Sequence, residues 1–128
     1  MNLLKTLFKS LFDTGPAVRR VAPAEAAQLV AEGKAALVDV REPSEWAGGV
    51  AAPAQLLAGS DFYNGRKQWT PFLRRAGQSE VILYCLSGAR SGRLARQLAR
   101  EGFKVANMGG VHGWSRAGLP MRKVKSRG

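Results

Sequence analysis

The chain has 128 residues, of which 20 are lysine or arginine, 9 are aspartate or glutamate, and one is a cysteine. This length predicts one domain with a core that needs no disulfide, and a single cysteine excludes an internal disulfide, a Cys-x-x-Cys redox pair and a multi-cysteine zinc site. The net charge of +11 indicates anionic partners, which can be small ions, acidic proteins, nucleic acid or lipid headgroups.

Residues 1–17 differ from the rest of the chain and are predicted to form an amphipathic segment and a linker. Leucines and phenylalanines recur at helical spacing over residues 3–12, with Lys5 and Lys9 between them. The two lysines interrupt any stretch long enough for a signal peptide, so we expect a cytoplasmic protein. Two interpretations of residues 3–12 stay open: peripheral contact with an anionic membrane surface, or packing on this domain or on a second copy in a dimer.

After this segment, short apolar runs alternate with helical patterns. We predict helices at 23–32, 43–46, 67–75, 91–101 and 111–117, and strands at 35–40, near Leu56, at 81–84 and at 103–108, with Gly109 and Gly110 forming a turn. The strands are continuously apolar, which is typical of strands covered on both faces. The sequence therefore predicts an α/β fold with a parallel sheet over residues 18–121, followed by a basic tail at 122–128.

The cysteine, Cys85, is predicted to follow the strand 81–84 just before a helix begins. Ligands of open parallel sheets bind at this end of the strands. Gly88 allows a tight loop whose backbone N–H groups converge on one centre. Such a site lowers the pKa of a thiol and makes it a nucleophile, and Arg90 adds a positive charge for an incoming oxyanion. The alternative is a buried cysteine that only packs.

Three segments of the chain resemble the single-domain rhodaneses, which are sulfurtransferases. They are LVDVREPSEW at 37–46, YCLSGARS at 84–91, and MGGVHGW at 108–114 followed by GLP at 118–120. The resemblance covers most of the chain, from residue 21 to residue 121. It implies a three-layer rhodanese-like fold, in which a central, mainly parallel five-stranded sheet has helices on both faces.

The resemblance also implies a mechanism. Cys85 takes a sulfane sulfur from a small anionic donor such as thiosulfate, becomes a persulfide, and passes the outer sulfur to a nucleophilic acceptor, either cyanide or the thiol of a small molecule or an acceptor protein. This chemistry needs no metal and no other cofactor. The residues that form the cradle around the sulfur are Leu86, Ser87, Gly88, Ala89, Arg90 and Ser91, with Arg90 as the cation that binds the donor.

Two alternatives to this function are weighed. Cysteine phosphatases share the fold but have five residues between the cysteine and the arginine, whereas four residues separate Cys85 from Arg90, which argues against phosphatase or arsenate reductase activity. The intact Cys85 and Arg90 argue against a non-catalytic rhodanese-like binding module. The histidine that the family commonly has after Trp46 is absent, because the stretch at 48–54 reads GGVAAPA, and we interpret this stretch as structural.

Three charged residues are expected to support the site. Asp39 ends a buried strand and should accept backbone hydrogen bonds or pair with an arginine. Arg41 has two candidate partners between which the sequence does not choose: Glu45, four residues on, and Glu42. We also expect Arg41 to approach the mouth of the site.

Basic residues recur along the helix after the cysteine loop. Arg90, Arg93, Arg96 and Arg100 are spaced by three or four residues, which predicts a basic stripe on one face of the helix. The stripe is either a solvated surface, or a surface that steers thiosulfate-like anions and docks an acidic acceptor protein. We expect no nucleic-acid partner, because the chain has no aromatic-rich binding motif.

Overall fold

The computed structural model of the protein describes residues 17–125, so the amphipathic segment predicted at residues 3–12 lies outside the described residues. The described residues form seven strands and six helices. In chain order these are β1 (Arg19–Arg20), α1 (Pro23–Ala31), β2 (Ala35–Asp39), α2 (Pro43–Trp46), β3 (Val50–Ala51), β4 (Gln55–Leu56), α3 (Gly59–Tyr63), α4 (Trp69–Ala76), β5 (Glu80–Cys85), α5 (Ala89–Arg100), β6 (Val105–Gly110), α6 (Val111–Arg116) and β7 (Met121–Arg122). Within residues 17–125, no helix has the length and apolar character that a membrane span requires.

Five strands form one parallel sheet in the order β1-β6-β5-β2-β4. The central strands β2 and β5 pair from Ala35 opposite Glu80 to Asp39 opposite Tyr84. Both strands are mostly apolar because helices cover the sheet on both faces. The predicted α/β fold with a central parallel sheet is therefore confirmed. Because the strands are parallel, β2, β5 and β6 end at the same edge of the sheet.

Alternate residues of β5 contribute to the two halves of the core. Val81, Leu83 and Cys85 belong to the cluster that α3, α4 and α5 cover. Ile82 and Tyr84 belong to the cluster that α1 and α6 cover. Burial of one large apolar side chain contributes about 1.5–3 kcal/mol, so these clusters can hold the sheet without a disulfide. The alternation places the side chain of Cys85 on the same face of the sheet as α5, the helix that follows it.

The end of β6 differs from the sequence prediction. Instead of forming a turn, Gly109 and Gly110 continue the strand and pair with Tyr84 and Cys85, after a bulge in the pairing. Two successive glycines are common in turns because they tolerate unusual dihedral angles. Here their lack of a side chain permits close packing, since a methyl group at Gly110 would overlap the carbonyl oxygen of Leu86. The turn prediction is therefore wrong, and β6 runs directly beside the loop after Cys85.

The Gly110→Ala substitution tests this close approach. The backbone of Gly110 is extended, so alanine fits its dihedral angles and only the overlap with Leu86 acts against it. The overlapping atom belongs to the backbone, so we expect the loop to shift and the free energy of unfolding to fall by about 1–3 kcal/mol in urea titrations. The control is Gly113→Ala, whose methyl group would lie 3.5 Å from Pro23, in ordinary contact, and would favour α6. Equal stability of the two variants would contradict the prediction.

A second, two-stranded sheet joins the middle of the chain to the region near its end. Strands β3 and β7 pair in antiparallel orientation. The guanidinium group of Arg122, in β7, donates to the carbonyl oxygens of Ala52 and Ala54 at 3.0 and 2.8 Å. Arg122, predicted to belong to the basic tail, is thus part of the fold.

Candidate active site

The sulfur of Cys85 lies where β5 ends and is surrounded by hydrogen-bond donors. Cys85 is 1% exposed. The N–H groups of Gly88 and Ser91 donate to its Sγ at 3.0 and 3.5 Å, and the hydroxyl group of Ser91 lies 3.4 Å from the same atom. The loop between β5 and α5 therefore converges on a single sulfur atom.

Gly88 gives this loop its shape. Its φ of 98° lies in the left-handed region, which residues with a Cβ rarely adopt. A Cβ at this position would also lie only 3.0 Å from the Cα atom of Gly109 on β6. Both the backbone conformation and the available space therefore require glycine, and this conformation directs the N–H group of Gly88 to the sulfur of Cys85.

Two opposing effects act on the pKa of Cys85. Burial raises this pKa, because the charged thiolate loses solvation. Hydrogen bonds from the hydroxyl and N–H groups of Ser91 and from the N–H group of Gly88 favour the thiolate and lower the pKa by more. The net result is a pKa below that of an ordinary cysteine thiol. The loop therefore increases the fraction of thiolate, the form of cysteine that attacks electrophiles.

Asn107, on the neighbouring strand β6, fastens the loop to the sheet. Its Oδ1 accepts hydrogen bonds from the Ser91 hydroxyl at 2.8 Å and from the N–H group of Gly109 at 3.0 Å. Its Nδ2 donates to the carbonyl oxygen of Gly88 at 3.1 Å. Asn107 is buried, and sequence reasoning missed it. The sequence does contain a signal for it, because Asn107 is a polar residue within the otherwise apolar run 105–108. A polar side chain that is buried requires hydrogen-bond partners.

The hydroxyl group of Ser91 has one proton and two neighbours that can accept it. When Cys85 is a neutral thiol, the hydroxyl can donate to Oδ1 of Asn107 and accept from the thiol. When Cys85 is a thiolate, the hydroxyl can turn to the sulfur, because Oδ1 of Asn107 keeps its hydrogen bond from Gly109. Ser91 is thus able to follow the protonation state of Cys85 without leaving Asn107 unpaired.

The Ser91→Ala substitution is expected to raise the pKa of Cys85. It removes the hydroxyl donor, and a hydrogen bond to a charged group contributes about 1.5–3 kcal/mol. The rate of Cys85 alkylation by iodoacetamide, measured against pH, should therefore reach its midpoint at a higher pH than in the wild-type protein. The control is Ser87→Ala, because the Ser87 hydroxyl accepts from the N–H group of Ala89 and is not bonded to the sulfur. Identical midpoints in the Ser91→Ala variant and the wild-type protein would contradict this role.

Arg90 forms a two-point ion pair with Glu45. Both distances between the guanidinium nitrogens and the carboxylate oxygens are 2.8 Å. Glu45 also accepts from the N–H group of Glu42 at 2.9 Å, which caps the start of α2. The hydrogen bonds with Arg90, opposed in part by burial, lower the pKa of Glu45 to about 2. Both partners are therefore charged at neutral pH, and α2 is tied to the first turn of α5.

A buried ion pair between Asp39 and Arg41 stands at the end of β2. Asp39 accepts from the backbone N–H group of Arg41 at 2.9 Å and from its guanidinium at 2.8–3.1 Å. The indole N–H group of Trp46 donates to the same carboxylate at 3.2 Å, and Arg41 also donates to the carbonyl oxygen of Gly49 at 2.8 Å. These bonds fix residues 41–49, and with them the position of Glu45.

The structure confirms that Asp39 pairs with an arginine, and it corrects the predicted partner of Arg41. Arg41 pairs with neither Glu45 nor Glu42, because it precedes α2 and its side chain turns back to Asp39. The spacing of four residues brings side chains together only within a helix, so the rule did not apply here. Because Arg41 is buried, it belongs to the framework that supports α2.

The side chains of the other loop residues make no hydrogen bond to the sulfur in the part of the chain that the structure describes. Leu86 is 47% exposed, Ser87 and Ala89 are also exposed, and Arg90 is half-buried against Glu45. Among the described residues, no cluster of His, Cys, Asp and Glu side chains could hold a metal ion. The site is therefore a thiol in a ring of N–H and hydroxyl donors.

Known proteins resemble this chain in sequence and in fold. The family model of the rhodanese-like domain matches residues 22–117. An uncharacterized protein of Synechocystis is 34% identical over 108 residues, which cover 83% of this chain and 57% of that protein, so the chain spans little more than half of this relative. A protein of Allochromatium vinosum named sulfurtransferase is 37% identical over 87 residues, 66% of this chain and 76% of that protein.

The fold is also shared with solved structures. The crystal structure of a thiosulfate sulfurtransferase from Pseudomonas aeruginosa superposes with a TM-score of 0.68 at 21% identity, covering 86% of this chain and 21% of that one. At this identity the likeness concerns the fold alone. Since the family model covers most of the sequence, from α1 through the cysteine loop to α6, the chain belongs to the rhodanese-like domain family.

Proposed function

We propose that the protein is a sulfurtransferase that carries sulfane sulfur as a persulfide on Cys85. The observation that carries this proposal is the convergence of three donors, from Gly88 and Ser91, on one buried sulfur at the end of a parallel strand. These donors favour a negative charge on the sulfur, as a nucleophile requires. The name of the Allochromatium relative, a sulfurtransferase, supports the same reaction class.

The proposed reaction has two displacement steps. The thiolate of Cys85 attacks the outer sulfur of thiosulfate, so that a new S–S bond forms while the bond to the sulfonate breaks, and sulfite leaves with the electron pair. The carbon of cyanide, or an acceptor thiolate, then attacks the outer sulfur of the persulfide, and Cys85 leaves as a thiolate. Cys85 is the single cysteine of these 128 residues, so none of the others supplies the acceptor thiol.

Each part of the site has a role in this proposal. The N–H groups of Gly88 and Ser91 stabilise the negative charge of the Cys85 sulfur before it attacks the donor, and again when it leaves the persulfide as a thiolate. Arg90 holds the loop against α2, and its pair with Glu45 uses one N–H from each terminal nitrogen, so further N–H groups can donate to the anionic donor. Asp39 and Arg41 position Glu45 through α2.

The test is the intact mass of the protein before and after incubation with thiosulfate, and again after cyanide. We expect a gain of about 32 Da, the mass of one sulfur atom, that cyanide removes with release of thiocyanate. A gain of mass with another sulfane donor but not with thiosulfate would show that thiosulfate is not the donor, and would still support sulfur transfer through Cys85. No adduct with any sulfane donor would contradict the proposal and favour a binding module.

A further inference from the structure

A groove rich in arginine runs along the outer side of α5. It has a volume of about 540 Å³, and four of its lining residues are Arg66, Arg93, Arg96 and Arg100. Tyr63, which is 62% exposed, lies at its side. We call this feature the arginine groove.

The charges of the arginine groove are only partly balanced. Arg66 is paired with Glu101 at 2.6 and 2.9 Å, and its guanidinium stacks 3.8 Å from the ring centre of Phe62. In contrast, Arg93, Arg96 and Arg100 have no carboxylate within 4.0 Å among residues 17–125. Three positive charges of α5 are therefore left for an anionic partner, whereas Arg90 on the same helix is paired with Glu45.

The position of the arginine groove links it to the sulfur site. Helix α5 begins at the loop that surrounds Cys85 and extends for 12 residues, about 18 Å. Arg93 lies about one turn from the loop and Arg100 at the far end of the helix. An extended peptide rises about 3.3 Å per residue, so a segment of about six residues can span the groove and reach the site with one end.

We propose that the arginine groove docks an acidic segment of the protein that accepts sulfur from Cys85, an inference that rests on the proposed function. Three arginines without a carboxylate among the described residues favour an anionic occupant. Because α5 begins at the cysteine loop, an occupant that brings the acceptor thiol with it is favoured. A single-stranded nucleic acid would need several aromatic rings for stacking, and the groove offers one exposed ring, that of Tyr63.

The first test measures binding without any sulfur chemistry. A fluorescent peptide of about six glutamates is titrated with the protein at low salt, beside a glutamine peptide of the same length. We expect the glutamate peptide to bind more tightly and its affinity to fall as salt is added. The variant Arg93→Gln/Arg96→Gln/Arg100→Gln should bind it roughly tenfold more weakly. The single variant Arg93→Glu, at an exposed position, should weaken binding as well and guards against misfolding of the triple variant.

The matched control is Arg74→Gln/Arg75→Gln/Arg116→Gln. These arginines are exposed and lie on α4 and α6, and their loss changes the net charge by the same amount. We expect this control to bind the glutamate peptide nearly as the wild-type protein does. Equal weakening in both triple variants would overturn the proposal, because net charge alone would then explain binding. Tighter binding of a single-stranded RNA of equal charge, lost in the groove variant, would also overturn it.

The second test adds the acceptor thiol. The two peptides each receive one terminal cysteine, and their rates of sulfur uptake from the Cys85 persulfide are compared by mass spectrometry. We expect faster uptake by the acidic peptide, and loss of this preference in the groove variant but not in the control variant. Equal rates for the two peptides would overturn the proposal. Absence of the persulfide itself would instead contradict the proposed function, and the binding test would still decide whether the groove takes acidic segments.

Discussion

The Cys85→Ala variant is expected to form no persulfide and to lose at least about a thousandfold in the rate of thiocyanate formation. The chain has no other thiol that could take over, because Cys85 is its single cysteine. The N–H donors of Gly88 and Ser91 would remain in place, so the loss would be due to the missing nucleophile. The measurement is the initial rate of thiocyanate release from thiosulfate and cyanide, together with the intact mass.

A companion variant, Cys85→Ser, distinguishes the loss of the nucleophile from a disturbance of the loop. Serine keeps an atom that can accept the hydrogen bonds of the loop, but its hydroxyl is a far weaker nucleophile at neutral pH. We therefore expect a folded protein that is as inactive as Cys85→Ala. Activity above a tenth of the wild-type rate in either variant, a threshold of roughly 1.4 kcal/mol, would show that Cys85 does not carry the sulfur.

The second large effect is expected for the Asp39→Ala variant, in its free energy of unfolding. Replacing Asp39 by alanine removes the carboxylate that neutralises Arg41, and both residues are buried, at 0% and 5% exposure. Breaking a buried ion pair on one side costs about 3–5 kcal/mol, since it leaves a charge without a partner in a medium that solvates it poorly. The measurement is the free energy of unfolding in urea. The indole N–H group of Trp46 would lose its acceptor as well.

Two further variants make this prediction specific. Glu25→Ala breaks the exposed pair between Arg19 and Glu25, and we expect a cost below about 1 kcal/mol. The double variant Asp39→Ala/Arg41→Leu removes both buried charges and should be more stable than Asp39→Ala alone. A cost for Asp39→Ala no greater than that for Glu25→Ala would contradict the importance of the buried pair.

Most of the elements that the sequence predicts correctly have long, regular patterns, while the short helix α2 is predicted from Pro43 and Ser44 at its start. β2 and β5 are runs of apolar residues, and α5 repeats its apolar positions with helical spacing, so hydrophobic burial alone identifies them. The strands β1, β3 and β7 have two residues each, too few for any period, and are not predicted, whereas the strand predicted near Leu56 is β4. Helix α3, with five residues, was missed for the same reason.

The hydrogen-bond and ion-pair partners of the site residues are not predicted by such patterns. The sequence predicts Glu45 or Glu42 as the partner of Arg41, yet Arg41 pairs with Asp39. Glu45 pairs instead with Arg90, 45 residues away along the chain. Asn107 comes from another strand and was not anticipated at all. Local spacing predicts contacts only within one element, whereas these contacts exist because β2, β5 and β6 end at the same edge of the sheet.

The sequence by itself determined the family resemblance, the α/β class and the nucleophile candidate, because these depend on motifs and on which residues avoid water. Only the tertiary structure decided which donors reach the sulfur of Cys85, which charge faces Arg90, and which arginines of α5 remain without a carboxylate among the described residues. Hydrogen bonds and ion pairs act over a few ångströms. Their partners are therefore selected by the packing of elements that lie far apart in the chain.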